Sequence, residues 1–251
     1  MTAPGGDTAV VIPAADEADR IAATVTAAAA LPGVDLVVVV DDGSRDQTGR
    51  AARAAGARVV RHSRNRGKAA AMETGAEAVR LLDAEPAGDT DAAPRHLLFL
   101  DADLGATAAA AATLIEPVRA GQADMTIAVF TTRVKLGGHG LVVRLSKEGI
   151  RRATGFTATQ PLNGQRCLTR AAFEAARPLA HGFGVETALT IDLLRQGYRV
   201  TEVEVDMAHR ATGTDLRAQL HRARQLRDVA LALATREPVI AENLDKLRPK
   251  R

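Results

Sequence analysis

Aromatic residues and cysteine are scarce in this sequence, and each scarcity excludes a class of site. The chain has five phenylalanines, one tyrosine and no tryptophan among its 251 residues. Stacking of ligands on aromatic rings, which proteins that bind single-stranded nucleic acids use, is therefore a poor candidate for this protein. Because Cys167 is the only cysteine, no internal disulfide forms and we expect a reducing cytoplasm.

Sequence signals for export and membrane insertion are also absent. The first residues, MTAPGGDT, lack the charged stretch and apolar core of a secretory signal. No apolar run approaches the roughly 20 residues that cross a bilayer as a helix. We therefore expect a cytoplasmic protein whose contact with a membrane, if it has one, is peripheral and on the inner face.

The net charge is only +3, but the basic residues are unevenly distributed. They concentrate after about residue 130, in RVK, VVRLSKEGIRR, HRARQLR and KLRPKR. This asymmetry favours an anionic partner for the second half of the chain. We do not expect that partner to be nucleic acid, because no helix-turn-helix, zinc or RNA-binding motif accompanies the charge.

Apolar runs of strand length alternate with helical stretches over the first hundred residues. Continuous apolar runs indicate strands buried on both faces, as in a parallel sheet. The alternation therefore predicts an α/β fold with an open, doubly wound, mostly parallel sheet. The predicted strands are TAVVIP (8–13), DLVVVV (35–40), ARVVRH (57–62) and HLLFL (96–100), and the predicted helices are 17–30, 46–56 and 68–84.

The pattern is less regular after residue 105, and no linker or internal repeat divides the chain. We therefore expect a single domain. The predicted elements are an alanine-rich helix (107–119), the strands DMTIAVF, GQRCLT and YRVTEVEVDM, a helix at 185–195 and an amphipathic helix at 215–237.

A polar cluster follows each strand of the first half. The clusters are PAADE (13–17), DDGS (41–44), HSRNRGK (62–68) and DAD (101–103). Ligands of doubly wound sheets bind outside the carboxyl ends of the strands. Because all four clusters fall on that edge, we expect them to converge in space.

The DAD cluster predicts a metal site. Residues two apart at a strand end point the same way, so Asp101 and Asp103 present two carboxylates while Ala102 turns inward. Two such carboxylates repel each other unless a cation lies between them. Mg²⁺ and Mn²⁺ prefer oxygen ligands of this kind and share them with phosphate. The alternative is a pair of helix-capping or loop aspartates.

Two further clusters have mixed interpretations. Ser44 and Gln47 fit a capping box for the second helix, which explains the serine but not the two preceding aspartates. Gly67 allows close approach to a phosphate, and Lys68 opens a helix whose N-terminal amides favour an anion. Neither a P-loop nor a GxGxxG motif is present.

Together these motifs resemble those of the family 2 glycosyltransferases of the GT-A fold, in order and in spacing. Ala15 and Asp16 depart from that pattern, because tyrosine and asparagine are usual there. This departure weakens the expectation that the first motif contacts the base of the nucleotide. The stretches that carry the resemblance are IPAADE, VVVVDDGSRDQTG, NRGKAAAMETG and LLFLDAD.

The second half continues the resemblance more faintly. LNGQRCLTRAAF (162–173) is similar to an acceptor-side segment, and GFGVETALTIDLL (182–194) to a helix that carries an acid near the acceptor. VDMAHRATG (205–213) is similar to a segment that supplies a histidine to the metal and an arginine to the diphosphate. QPLNGQ and GFGVE also resemble the glucosyl-3-phosphoglycerate synthases, which retain the anomeric configuration, whereas family 2 enzymes invert it.

The resemblance implies a metal-dependent enzyme that moves a sugar from a nucleotide-sugar donor, a UDP-sugar, to an anionic or polyprenyl-phosphate acceptor. It implies one GT-A domain (1–251) with a nucleotide-sugar-binding half (8–104), an acceptor half (105–214) and C-terminal helices (215–251). The implied site residues are Pro13, Ala14, Glu17, Asp42, Lys68, Ala102 and Arg210 for the donor, Asn163, Gln165 and Arg166 for the acceptor, Asp101, Asp103 and His209 for Mg²⁺ or Mn²⁺, and Glu186 to orient or deprotonate the acceptor hydroxyl.

Several alternatives stay open at this point. The enzyme would be a retaining synthase if its acceptor were a small phosphorylated acid such as 3-phosphoglycerate. A sugar-phosphate nucleotidyltransferase would need a glycine-rich, arginine-bearing loop where PAADE stands. The intact DAD, HR and VE segments argue against a non-catalytic nucleotide-binding module. Glu186 itself could be a helix N-terminal acid.

The sequence also leaves open the roles of the basic stretches and the oligomeric state. The stretch from Arg133 to Arg152 could hold the anionic acceptor or form a solvated helix face. The 215–237 helix could rest on an anionic membrane, although packing on its own domain is favoured. Whether the chain forms a homodimer is open.

Overall fold

A computed structural model describes residues 7–84, 93–131, 140–207 and 216–236, with side chains in the last range from residue 223 on. The strands are β1 (Thr8–Ala14), β2 (Val34–Asp41), β3 (Arg58–Arg61), β4 (His96–Phe99), β5 (Met125–Phe130), β6 (Arg166–Leu168) and β7 (Val200–Val205). The α-helices are α1 (Ile21–Ala29), α2 (Thr48–Ala54), α3 (Lys68–Asp83), α4 (Ala112–Arg119), α5 (Gly140–Thr154), α6 (Arg170–Ala175), α7 (Val185–Arg195) and α8 (Leu216–Ala234), and 3₁₀ helices span Gly105–Ala111 and Gly182–Gly184.

The strands form one seven-stranded sheet in the order β3-β2-β1-β4-β6-β5-β7. Strands β1 to β4 are parallel, β6 is antiparallel to both of its neighbours, and β7 is parallel to β5. This confirms the predicted mostly parallel α/β sheet. The strand order reverses between β1 and β4, which is the position where doubly wound sheets bind ligands.

The register of the strands brings the polar clusters to one edge. Ala14 lies opposite Asp41 and Asp41 opposite Arg61, while Val11 lies opposite Phe99. Asp101 therefore follows β4 close to the level at which β1 ends. The four clusters predicted to converge do share this edge.

Both faces of the sheet are buried, as the continuous apolar runs require. Val10 and Ile12 face an apolar layer that includes α1 and α4, and Val11 faces the layer that includes α3 and α7. On the second face the rings of Phe99 and Phe173 stack with their centres 5.4 Å apart. This double burial fixes the strand ends, and with them the site.

Helix α1 begins later than the sequence predicts, at Ile21 rather than residue 17. The backbone N–H of Glu17 donates to Oγ1 of Thr48, and that of Ala18 donates to the carboxylate of Asp46. These contacts hold the residues before Ile21 in a turn, so tertiary hydrogen bonds outweigh the local helix preference.

Two other helices also differ from the sequence prediction. Helix α6 was not predicted, and the predicted 107–119 helix is divided into a 3₁₀ helix and α4.

Helix α8 packs against its own domain where its side chains are described. Val229 and Ala232 are buried, and the side chain of Leu233 lies against Gly149 of α5. Within the described ranges no helix combines the length and the apolar character needed to cross a membrane.

Helix α3 lies unusually close to the sheet at Gly75. A Cβ atom at this position would lie 2.3 Å from Cγ1 of Val11 and 3.2 Å from Cγ2 of Val40. We expect Gly75→Ala to lower the free energy of unfolding by about 1–3 kcal/mol, because overpacking outweighs the better helix propensity of alanine. Denaturant unfolding of the wild type and the variant measures this.

Val11→Ala provides the control, because it removes the methyl group that a Cβ atom at position 75 would meet. In the Val11→Ala background the cost of Gly75→Ala should largely disappear, which a double-mutant cycle detects. An equal cost in both backgrounds would contradict the steric explanation.

Candidate active site

Three charged side chains from separate parts of the sequence meet at the carboxyl edge of the sheet. The ammonium of Lys68, the first residue of α3, lies 2.7 Å from Oδ1 of Asp101 and 3.0 Å from Oε1 of Glu186. Asp101 follows β4, and Glu186 lies in the first turn of α7. The structure thus brings together residues that the sequence assigned to the diphosphate, the metal and the acceptor.

The two carboxylates keep Lys68 charged. Burial by itself would lower the pKa of the ammonium, but the charges of Asp101 and Glu186 and the hydrogen bonds to both raise that pKa above its usual value. The Lys68 side chain is 29% exposed, whereas that of Glu186 is 10% exposed. A fixed cation with part of its surface open is suited to bind an anionic group.

The segment before β6 closes one side of this cluster. Nε2 of Gln165 donates to Oδ2 of Asp101 at 2.9 Å, and the Gln165 side chain is fully buried. A Cβ at Gly164 would lie 2.2 Å from Nζ of Lys68 and 3.1 Å from Oδ1 of Asp101. Glycine at 164 therefore permits the close approach of Lys68 to Asp101.

Asp42 is buried and organises the loop after β3. Its Oδ1 accepts a hydrogen bond from the N–H of Arg66, and its Oδ2 accepts one from the N–H of Gly67, each at 2.8 Å. The same carboxylate lies 2.6 Å from Nδ1 of His62. At 4% exposure Asp42 acts mainly on the loop that leads into Lys68, and its contact with a nucleoside stays a prediction.

His62 belongs to this cluster although the sequence did not single it out. Its Nε2 lies 2.9 Å from Oγ1 of Thr74, so the imidazole joins Asp42 to α3. The only available signal was its place at the end of the third strand, beside a polar motif. The contact of His62 with Asp42, which lies 20 positions earlier, depends on the register of β2 and β3.

The turn after β2 is not the predicted capping box. Oδ1 of Asp41 accepts from the N–H of Ser44, and Oγ of Ser44 accepts from the N–H of Asp16. Helix α2 begins only at Thr48, without a side-chain cap from Gln47. The capping-box prediction is wrong because the helix starts too late and the serine hydroxyl binds the first motif instead.

Gly43 lets the second and third loops touch. Its φ is +74°, and a Cβ there would lie 2.6 Å from backbone atoms of both Arg64 and Asn65. Arg61 adds a second link, since its Nη1 donates to Oδ2 of Asp41 at 2.8 Å. The two loops therefore form one packed unit.

The first motif joins this unit through its backbone. Asp16 has a φ of +57°, a left-handed conformation that asparagine and aspartate tolerate, and its Oδ1 accepts from the N–H of Arg45. Asp16 is thus suited to the position where asparagine is usual. Glu17 and Pro13 are half-buried, while the Ala14 side chain points into the core, which limits that residue to backbone contacts with a ligand.

The DAD motif offers oxygen donors of the type that bind Mg²⁺ or Mn²⁺. Asp101 and Asp103 are half-buried at the sheet edge, and the Ala102 side chain points into the core. In the described ranges no three acidic, histidine or cysteine side chains form a metal-binding group. The predicted third ligand, His209, and the predicted diphosphate contact, Arg210, lie outside the described residues.

The three residues predicted to bind the acceptor are buried. Oδ1 of Asn163 accepts from the N–H of Gln165, and Arg166 donates from Nε to the carbonyl of Asn163 at 2.8 Å. Arg166 is only 1% exposed, and burial lowers its pKa to about 10 despite the nearby charges of Glu186 and Glu202. Protein carbonyls enclose its guanidinium, so this geometry gives no support to the predicted contact between Arg166 and the acceptor. Acceptor roles for Asn163 and Gln165 stay predictions.

Most of this edge of the sheet belongs to a region that matches a known protein family. The family model described as glycosyl transferase family 2 matches residues 9–163, more than half of the chain. The chain belongs to glycosyl transferase family 2. The matched region includes Asp42, Lys68 and Asp101, whereas Glu186 lies beyond it.

This family 2 chain is similar to a curated glycosyltransferase and to solved structures that include a glucosyl-3-phosphoglycerate synthase. It is 30% identical to the glycosyltransferase AglJ of Haloferax volcanii over 187 residues, which are 73% of this chain and 57% of that protein. It is 25% identical, with a TM-score of 0.73, to glucosyl-3-phosphoglycerate synthase from Mycobacterium tuberculosis in complex with Mg²⁺ and UDP. That match covers 92% of this chain and 79% of the synthase.

The same synthase in complex with Mn²⁺, UDP-glucose and phosphoglyceric acid is 26% identical, with a TM-score of 0.71. This match covers 92% of the chain and 80% of the synthase. The chain thus spans four fifths of the synthase but little more than half of AglJ.

Asp42→Asn tests how the loop after β3 is held. An asparagine nitrogen cannot accept the N–H of Gly67 or Arg66, so one backbone contact of the loop is lost. We expect trypsin to cleave after Arg66 several-fold faster in this variant, because local opening becomes easier. Limited proteolysis followed by mass spectrometry measures the rate.

Asp35→Asn is the control, since Asp35 lies on the same strand, is exposed, pairs with Arg95 and contacts neither of these amides. Its cleavage rate after Arg66 should stay near that of the wild type. If both variants are cleaved equally fast, Asp42 does not hold the loop.

Proposed function

We propose that this family 2 chain transfers a sugar from a nucleotide-sugar donor, a UDP-sugar, to an anionic acceptor. The convergence of Lys68, Asp101 and Glu186 carries the proposal, because a cation and two carboxylates from three motifs meet at the ligand-binding edge. The complexes of the synthase with UDP and UDP-glucose support a UDP-sugar as the donor.

The donor would lie over the first four strands. Asp42 and Glu17 would border the nucleoside, with Pro13, Ala14 and Ala102 contributing backbone. Cleavage of the bond between sugar and phosphate leaves negative charge on the departing diphosphate. Lys68 would stabilise that charge from its fixed position beside Asp101, together with the predicted contact Arg210.

A divalent cation, Mg²⁺ or Mn²⁺, fits the oxygen donors of Asp101 and Asp103, with His209 as the predicted third ligand. When bound, such an ion neutralises part of the charge on the diphosphate. The synthase complexes with Mg²⁺ and with Mn²⁺ support this choice. The chain's own task is to hold both carboxylates at the strand end, where Gln165 and Lys68 orient Asp101.

Glu186 would orient or deprotonate the acceptor hydroxyl. Its carboxylate is 10% exposed and its Oε1 is held 3.0 Å from Lys68, so an acceptor bound there would meet both a base and a cation. A small phosphorylated acid is a second candidate for the acceptor, beside a polyprenyl phosphate. The synthase complex with phosphoglyceric acid favours the small acid.

Asp103→Asn tests the metal role. We expect Mn²⁺ to strengthen UDP binding to the wild type, and the variant to lose at least about 10-fold in that metal-dependent affinity. Affinity without metal should not change. Isothermal titration with and without Mn²⁺ measures both values.

The control is Asp19→Asn, which changes an exposed aspartate outside the site. It should respond to Mn²⁺ as the wild type does. If Asp103→Asn keeps the full metal effect, the proposed metal site is refuted. If UDP and the other nucleoside diphosphates fail to bind the wild type, the donor proposal fails with it.

Glu186→Gln tests whether Glu186 acts as a general base or only as a hydrogen-bonding partner of Lys68. Glutamine can still accept a hydrogen bond from Lys68 but cannot take a proton, so loss of a general base should lower kcat by about 10²–10⁴-fold. The assay pairs a panel of UDP-sugars with 3-phosphoglycerate and with a polyprenyl phosphate. A kcat near the wild-type value would exclude Glu186 as a base and favour a retaining reaction that needs none.

A further inference from the structure

We infer that Arg166 is a positioning residue that fixes Glu186 and Gln165 relative to each other through a buried guanidinium bridge. The inference rests on the proposed function, because it concerns how the acceptor side of the same site is assembled. It gives Arg166 no contact with donor, metal or acceptor.

The bridge joins the segment before β6 to the start of α7. On one side Nε donates to the carbonyl of Asn163 at 2.8 Å, and Nη2 donates to the carbonyl of Pro161 at 3.0 Å. On the other side Nη1 donates to the carbonyl of Glu186 at 3.0 Å and to Oγ1 of Thr190 at 2.9 Å. One side chain therefore holds four acceptors on two elements that are distant in sequence.

Both elements carry residues of the charged cluster. The first contains Gly164, which lies against Lys68, and Gln165, which donates to Asp101. The second contains Glu186, whose carboxylate is paired with Lys68. A shift of either element changes the surroundings of Lys68, so the bridge sets the geometry of the cluster without being part of its surface.

The cost of burying this charge argues for a specific role. Arg166 is 1% exposed and forms no ion pair with a carboxylate anywhere in the described ranges. An apolar side chain of similar size would fill the same space without desolvating a charge. What it could not do is donate to four acceptors on two elements at once, which the rigid fork of a guanidinium allows.

Arg166→Lys and Thr190→Val each weaken the bridge. Lysine keeps the charge but cannot span both sets of acceptors, and valine removes the hydroxyl at the α7 end while keeping the shape. We expect Arg166→Lys to lower kcat for sugar transfer by about 10- to 100-fold, and Thr190→Val to lower it less, because the reacting groups are misplaced. The KM for the donor and the affinity for UDP should change much less than kcat, because the misplaced acid acts on the acceptor.

Thr187→Val is the matched control for Thr190→Val. Thr187 is equally buried on α7, but its hydroxyl pairs with Ser146 of α5 rather than with Arg166. This variant should lose thermal stability and keep its kcat, with activity normalised to folded protein. A wild-type kcat in both bridge variants, or an equal loss in Thr187→Val, overturns the inference.

Amide hydrogen exchange tests whether Arg166 links residues 161–166 to α7, and it does not require turnover. In Thr190→Val, amides in residues 161–166 should exchange faster than in the wild type, together with those at the start of α7. In Thr187→Val residues 161–166 should exchange at the wild-type rate. Faster exchange confined to α7 in Thr190→Val overturns the bridge, whereas a wild type that turns over no donor refutes the proposed function alone. Thr190→Val keeps both tests available if Arg166→Lys does not fold.

Discussion

The ammonium of Lys68, shared between Asp101 and Glu186, is the interaction on which the arrangement of the site depends. It joins the matched family region to a helix that lies beyond it. Two carboxylates this close to one point would repel each other, and a single cation between them removes that cost. The surroundings accept this geometry because position 164 has no Cβ and because Gln165 takes the second oxygen of Asp101.

A second constraint is the saturation of Asp42 and Asp41 by the protein itself. A buried carboxylate is costly unless donors surround it. Asp42 meets two backbone amides and His62, while Asp41 meets Ser44 and an arginine. These acids therefore build the loops at the carboxyl edge of β2 and β3, and the loop fixed by Asp42 leads directly into Lys68.

Most of the fold was predictable from the sequence because it depends on local periodicity. The runs of valine and leucine are strands because they are buried on both faces, and helix α7 has the predicted bounds of Val185 and Arg195. The convergence of the clusters followed from parallel topology alone. Where tertiary contacts compete with local preference, the prediction failed, as in the late start of α1 and the capping box at Ser44.

The site was harder to predict, because a motif gives the place of a polar residue but not the direction of its side chain. Arg166 follows Gln165 at the start of β6, where a guanidinium could face either a ligand or the interior, and only the packing of α7 decides between them. The same uncertainty concealed His62. Many polar residues near the sheet edge are therefore internal connections, and substitutions there would lower activity by displacing Lys68, Asp101 or Glu186 rather than by removing a substrate contact. Separating the two classes requires kinetic and binding measurements on the same variant, because loss of activity alone looks the same for both.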